Sequence, residues 1–323
     1  MGVKFLKFFI ILFIFSLLTG CSSPAATPSA PVPTVAPAAI STTVIPTPAV
    51  LPTATADPVT PTPTGLTAEM VKNAQYTLNA ASSPATVQLK DGVYESGSGA
   101  DYVSVHMGDP MAFADLNADG MTDAVAVVGE NYGGSGDFYY LVVYLNQDGK
   151  PQYYAAKPID DRPKINAVYI LKRQILLDAL VHGPQDGMCC PSFPVQRIYQ
   201  LSKIGLDWIR QNSRTPDGKE RVITIESPAN DDQVSGSMQI KGTTSVAPFE
   251  NNLTYKIFDP TGKQLASGPF SVSSDGLGGP GTFDNPIDLS AIPAGLLIRF
   301  ELSDVSAADG SILAMDSVEL LIK

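Results

Sequence analysis

The sequence predicts a mainly β protein, with an α+β antiparallel-sheet domain over residues 66–215 and a seven-stranded β-sandwich over residues 216–323. Two observations carry this. β-Branched and aromatic runs recur between Gly, Asp and Asn from residue 102 to residue 201, and seven similar segments separated by turn signals fill residues 222–322. A third sets where folded structure begins: residues 22–65 show neither a helical nor a strand period.

Ahead of that tract, Lys4 and Lys7 supply a short positive start. Phe8 to Leu18 form an apolar run broken only by Ser16, and Leu18-Thr19-Gly20-Cys21 closes it. The run is shorter than the roughly 20 residues of a transmembrane helix, and small residues before a cysteine mark a cleaved export signal. These residues resemble the lipobox of bacterial lipoproteins. The resemblance implies a signal peptide over residues 1–20, palmitate-type lipid on Cys21, and an extracytoplasmic protein held to the cell membrane. Two acyl chains give stable anchoring where one does not.

Residues 21–65 join the lipid to the folded part. They hold 11 of the 27 prolines and a single charge, Asp57. Proline removes the donors a helix or sheet needs, so the tract reads as an extended stalk or a disordered connector. At about 3.1 Å per residue it reaches roughly 100 Å from the membrane, enough to cross a wall layer.

The chain carries 21 Lys and Arg against 32 Asp and Glu; losing Lys4 and Lys7 with the signal leaves 19 against 32. Such a surface repels nucleic acid and anionic headgroups, so the expected partners are the membrane, through lipid, and an envelope protein or cell-wall component. With Cys21 lipidated, only adjacent Cys189 and Cys190 remain, in a disulfide-permissive compartment.

In the first domain, Thr67 reads as an N-cap with Glu69 in the first turn. Met70, Ala74 and Leu78 recur at i, i+4 and i+8, predicting a short amphipathic helix. Strand runs follow at Tyr102-Val-Ser-Val, Ala124-Val-Ala-Val-Val and Phe138-Tyr-Tyr-Leu-Val-Val-Tyr-Leu. Three more are Val168-Tyr-Ile-Leu, Ile175-Leu-Leu-Asp-Ala-Leu-Val and Gln196-Arg-Ile-Tyr-Gln-Leu. Asp91-Gly92 and Asp148-Gly149 are hairpin-type turns.

Asp115, Asn117, Asp119 and Asp123 fall at positions 1, 3, 5 and 9 of a calcium-type loop, with Gly120 at 6 and the Met121 carbonyl at 7. Position 12 is Ala126, so an EF-hand's bidentate glutamate is missing, and the flanks read as strands. The loop resembles the calcium-binding hairpin loops of FG-GAP repeats. The alternative is a metal-free turn in which Asp and Asn bond their own backbone.

Asn131-Tyr-Gly133-Gly134-Ser135-Gly136-Asp137 lacks the Lys-Ser/Thr of a P-loop and leads into a strand, so it reads as a hairpin loop. Cys189 and Cys190 form either a strained vicinal disulfide or two thiols, because adjacent Cα atoms lie closer than an ordinary disulfide needs. With the Asp loop and the glycine turn, the segment from His182 to Pro191 is similar to the LppP/LprE type of lipoprotein, a family that implies export but no activity.

In the second domain, strands are expected at 222–226, 238–242, 253–259, 264–272, 282–289, 296–305 and 312–322. Ile225-Glu-Ser-Pro228, Val234-Ser-Gly236, Ile240-Lys-Gly242-Thr, Phe249-Glu250, the Asp259 to Gly262 turn and Phe283 follow the order of the immunoglobulin-like domain of bacterial spore germination proteins. That resemblance implies an Ig-like sandwich acting as an envelope interaction module.

No catalytic residue is assigned. The chain has two histidines, His106 and His182, and no His-Glu-x-x-His or Gly-x-Ser-x-Gly motif. The expected function is a non-catalytic surface lipoprotein with a binding or structural role. Alternatives are a calcium- or redox-responsive sensor and a carboxylate-based hydrolase with an acidic cleft.

Overall fold

The computed structural model describes residues 65–79, 85–276 and 278–323. The expected export signal, Cys21 and the linker before residue 65 lie outside the described residues. The described residues fall in one compact unit.

Helix α1 (Ala68–Lys72) is capped as the sequence predicts, the Thr67 side chain accepting the Met70 N–H at 3.3 Å. It is shorter than the i, i+4, i+8 pattern suggests. The chain leaves the helix at Asn73, and strand β1 (Gln75–Thr77) carries Tyr76 into the core between Ala74 and Leu78. There the Tyr76 hydroxyl donates to the fully buried Glu130 at 2.5 Å, beside bonds from the Asn79 N–H and the Tyr132 hydroxyl. Burial, and next the Glu130 charge, push the Tyr76 phenol up. β1 pairs with β2 (Thr86–Gln88).

A five-stranded antiparallel sheet follows in chain order: β3 (Val93–Ser96), β4 (Val103–Ala114), β5 (Asp123–Asn131), β6 (Phe138–Gln147) and β7 (Lys150–Asp161). Strand β5 is covered on both faces. Ala124, Ala126 and Val128 pack with Tyr76 and Tyr144, while Val125 and Val127 pack with Ile175 and Leu177 on the other side. Double burial is why this strand reads as an unbroken apolar run instead of an alternating one. Strand β7 gave no such signal, because it carries Pro151 and Pro158; as the sheet's edge it tolerates residues that cannot donate. The β6–β7 turn places Asp148 and Gly149 both at positive φ, as a tight hairpin requires.

A second meander, β8 (Lys164–Leu171), β9 (Gln174–Val181), β10 (Phe193–Ser202) and β11 (Gly205–Arg214), covers the free face of the first sheet. The polar stretch after it is a hydrogen-bonded hairpin rather than an open connector. Thr215 N–H donates to the Lys219 carbonyl, and β12 (Glu220–Arg221) pairs back onto β11.

All seven strands expected in the C-terminal part form. They are β13 (Ile223–Ser227), β15 (Ser237–Thr244), β16 (Asn252–Phe258), β17 (Gln264–Ser271), β19 (Gly281–Asp288), β20 (Leu297–Val305) and β21 (Ile312–Ile322), with short β14 (Gln233–Val234) and β18 (Ser273–Ser274) between them. Two sheets, β13-β15-β19-β18 and β17-β16-β20-β21, enclose a core of Phe270, Phe283, Phe300 and aliphatic residues. Gly242 is required by close approach: a Cβ there would meet the Thr224 carbonyl oxygen at 2.0 Å and the Phe283 ring at 2.6 Å.

Strand β21 pairs with β20 on one edge and, through Gln211 and Met315, with β11 on the other. One sheet therefore runs from the sandwich into the second meander. Part-buried polar bonds fasten this seam: Arg210 to Asp316 at 2.8 Å, Arg221 to Asp304 at 2.7 Å, and the Ser317 hydroxyl to the Ile209 carbonyl at 2.7 Å.

Candidate functional site

Where the sheet crosses the seam, turns from both halves surround a groove of about 870 Å³. The β8–β9 turn contributes Lys172 and Arg173, the β10–β11 turn Lys203 and Ile204, and the β16–β17 turn Asp259, Pro260 and Gly262. Leu116 and Asn117 bring the edge of the Asp115–Asp123 loop to the same wall, and Asp207, Leu297, Arg299 and Glu319 line it across the seam.

Lys172 and Arg173 are the informative pair. Leu171 opposes Gln174 directly, leaving a two-residue turn with φ of 51° and 64°. Asn-Gly suits such a turn; a left-handed residue of another type costs about 1–2 kcal/mol. The fold thus holds two exposed cations over the groove in a conformation local propensity disfavours. Lys203 joins them, and among the described residues none of these three makes an ion pair. Arg299 is otherwise engaged, bonded to Glu301 at 3.0 Å and stacked over Phe258.

Of the carboxylates, Asp259 is turned onto its own loop, accepting from Thr261 and Lys263, and the Thr261 hydroxyl bond above all holds its pKa down. Glu319 is pushed up, first by burial and then by repulsion from Asp207 and Asp231. A carboxyl whose folded pKa is raised opposes folding when ionised, and that opposition vanishes as pH falls through the raised value toward the ordinary glutamate pKa of about 4.3. Glu319→Gln is therefore expected to raise Tm at pH 7 and leave it nearly unchanged at pH 4. Equal shifts at both pH values would show that its charge is not strained.

The calcium-type loop closes on itself. Asp115 accepts the Ala118 and Gly120 amides at 2.7 and 3.0 Å, Asn117 accepts the Asp119 amide at 3.0 Å, and Asp119 accepts the Met121 amide at 2.8 Å. These three side chains share one turn, and each carboxylate oxygen keeps a second lone pair. Asp123 does not join them. It is fully buried, its oxygens accepting the Leu116 and Asn146 amides, both at 2.9 Å. Burial is the first cause of its raised pKa. Among the described residues no three Asp, Glu, His or Cys side chains gather as a metal ion requires. The glycine loop is pinned by Asn131, whose amide donates to the Gly134 and Gly136 carbonyls.

A polar corner forms at the far end of β7. His106 lies 3.2 Å from the Tyr139 hydroxyl and 3.4 Å from Asp137, while Asp160 accepts from the His182 N–H and lies 3.0 Å from its Nδ1. Asp161 pairs with Arg162 at 2.6 Å, which lowers its pKa. Cys189 and Cys190, joined as a disulfide, sit in the exposed β9–β10 loop beside this corner.

The sequence reading missed Lys172, Arg173, Lys203, Asp207 and Glu319. One signal was available: only Lys172-Arg173-Gln174 stands between Val168-Tyr-Ile-Leu and Ile175-Leu-Leu, too short for anything but a tight turn.

Residues 222–311 match the family described as the immunoglobulin-like domain of bacterial spore germination, and the C-terminal sandwich is such a domain. No curated protein matches the chain. Among solved structures, the crystal structure of dimeric latent PorU from Porphyromonas gingivalis aligns at 11% identity over 68% of this chain and 29% of that one, with a TM-score of 0.22. The chain thus spans under a third of that protein, and a likeness at this level carries no argument.

Proposed function

We propose that this is a lipid-anchored envelope protein that binds a polypeptide segment in the groove at its seam. The observation that carries the reading is the Lys172-Arg173 turn, two cations without an ion pair among the described residues, held at positive φ over the groove. Backbone strain of this kind concentrates at binding sites. Lys172, Arg173 and Lys203 line the groove together with Asp207, Glu319 and the exposed Ile204 and Leu297. A uniform polyanion would be repelled by the carboxylates, whereas a polypeptide carries both signs and apolar side chains. The lipobox and the proline-rich tract fit display beyond the membrane, with lipid on Cys21. Calcium, in this reading, is a structural ion of the weak extracellular class at Asp115, Asn117 and Asp119.

The test exchanges the turn. Lys172→Asn with Arg173→Gly is expected to raise thermal stability, because the new residues suit the turn, while abolishing photo-crosslinking from a benzophenone side chain at Ile204 to an envelope polypeptide in cells. Crosslinking that persists in the exchanged protein, or that is equal from a control position at Gln239, would remove the groove from the reading.

One observation favours a second reading. Glu319, raised in pKa, faces Asp207 in the groove, the arrangement of a carboxylate acid–base pair. Hydrolysis of an envelope polymer that is lost in Glu319→Gln, with crosslinking retained, would select it.

A further inference from the structure

We infer that Cys189–Cys190 is a thiol–disulfide exchange site, turned over by an extracytoplasmic dithiol protein and coupled to the grip of Arg162 on the β9–β10 loop. Three observations lead there.

The bond has almost no structural work. Cross-links stabilise chiefly by closing long loops in the unfolded chain, and these cysteines are adjacent, so no loop is closed. The loop is held without them: Asp186 accepts the Gly183 and Ser192 amides and the Ser192 hydroxyl at 2.7–2.8 Å, drawing its two ends together.

The bond is also reachable and easily opened. Both cysteines are exposed, and Met188 before them is 71% exposed. Their Cα atoms are 3.7 Å apart, below the usual range of about 4.4–6.8 Å, and departures of this kind make a disulfide more reducible.

A cation holds the residue before the pair. Arg162 donates from Nη2 to the Met188 carbonyl while bonded to Asp161, which places a guanidinium one residue from Cys189. Positive charge favours thiolate, and a more stable thiolate leaves faster.

In the exchange, one thiolate of the partner attacks a sulfur of the pair. A mixed disulfide forms and the other cysteine departs as a thiolate. The partner's second thiol then attacks the mixed disulfide and releases the remaining cysteine. Two electrons pass to the pair, which takes up two protons, and the partner ends as its own disulfide. Opening the ring relaxes the turn closed by the Cys190 N–H on the Gly187 carbonyl and loosens the Met188 carbonyl from Arg162.

The experiment uses the full chain in detergent, with reduced thioredoxin as the probe and maleimide alkylation read by intact mass. No alkylation of Cys189 or Cys190 is expected before reduction, and two alkylated sulfurs are expected together after stoichiometric thioredoxin. Arg162→Gln is expected to slow that reaction at least threefold. Hydrogen exchange at residues 187–190 should rise on reduction and match the unreduced Cys189→Ser/Cys190→Ser protein. Two free thiols before reduction would overturn the inference, as would resistance to thioredoxin or equal exchange in all three states. An unchanged rate in Arg162→Gln would overturn the role of the guanidinium.

Discussion

Arg221→Ala is expected to lose roughly 3–5 kcal/mol of stability. Arg221 and Asp304 pair at 2.7 Å with side chains 18% and 3% exposed, joining β12 to β20. Truncating the arginine leaves Asp304 ionised, buried and without its counter-charge. The pH dependence tests that cause. The Asp304 carboxyl is already raised, by burial before all else, and Arg221 is what pulls it back. Without the arginine it rises further. An ionised group with a raised folded pKa opposes folding above that pKa, and the opposition fades as pH falls through it. The deficit of Arg221→Ala should therefore be greatest at pH 7 and shrink toward pH 5, as followed by urea denaturation. A deficit constant with pH would point to lost packing of the arginine stem instead.

This pair also shows what the sequence made legible and what it did not. The seven long strands of the sandwich could be read, because Ile225, Ile240, Phe283 and Phe300 alternate or cluster between turn residues, and burial of one face imposes that pattern; the two-residue β14 and β18 were too short to show it. Strand β5 could be read for the opposite reason, burial of both faces. The reading faltered where tertiary context overrode the local pattern. Met70, Ala74 and Leu78 have helical spacing, but only Met70 belongs to α1, because Tyr76 is drawn out in β1 to reach Glu130. Strand β7 hid behind its prolines, and β11 behind Gln211 and Ser213, polar residues that are buried at the seam. The groove follows the same logic. Its cations and carboxylates come from turns far apart in sequence, so no spacing rule brings Lys203 to Glu319; only the pairing of β11 with β21 does.

The Asp115–Asp123 loop lies between these cases, since its spacing is visible and its chemistry is divided. Asp123→Ala is expected to cost roughly 2–6 kcal/mol, because two buried amides, Leu116 and Asn146, lose their acceptor and each orphaned donor costs about 1–3 kcal/mol. The loss should spread beyond the loop. Asn146 itself accepts the Gly149 amide and donates to the Thr122 carbonyl, so freeing it slackens the β6–β7 turn as well. Asp123→Asn keeps one acceptor oxygen and should recover about half of the loss. Asp119→Ala acts differently: the side chain is exposed and bonds within its own turn, so without calcium the cost should stay under about 1 kcal/mol. Thermal denaturation of the three variants with and without millimolar calcium separates the roles. If Asp115, Asn117 and Asp119 hold the ion while Asp123 holds the strands, calcium raises the Tm of the parent and of Asp123→Asn but not of Asp119→Ala. The large deficit of Asp123→Ala then persists in chelator. A deficit that appears only when calcium is present would instead make Asp123 a ligand, with a side chain that turns from the sheet to the ion.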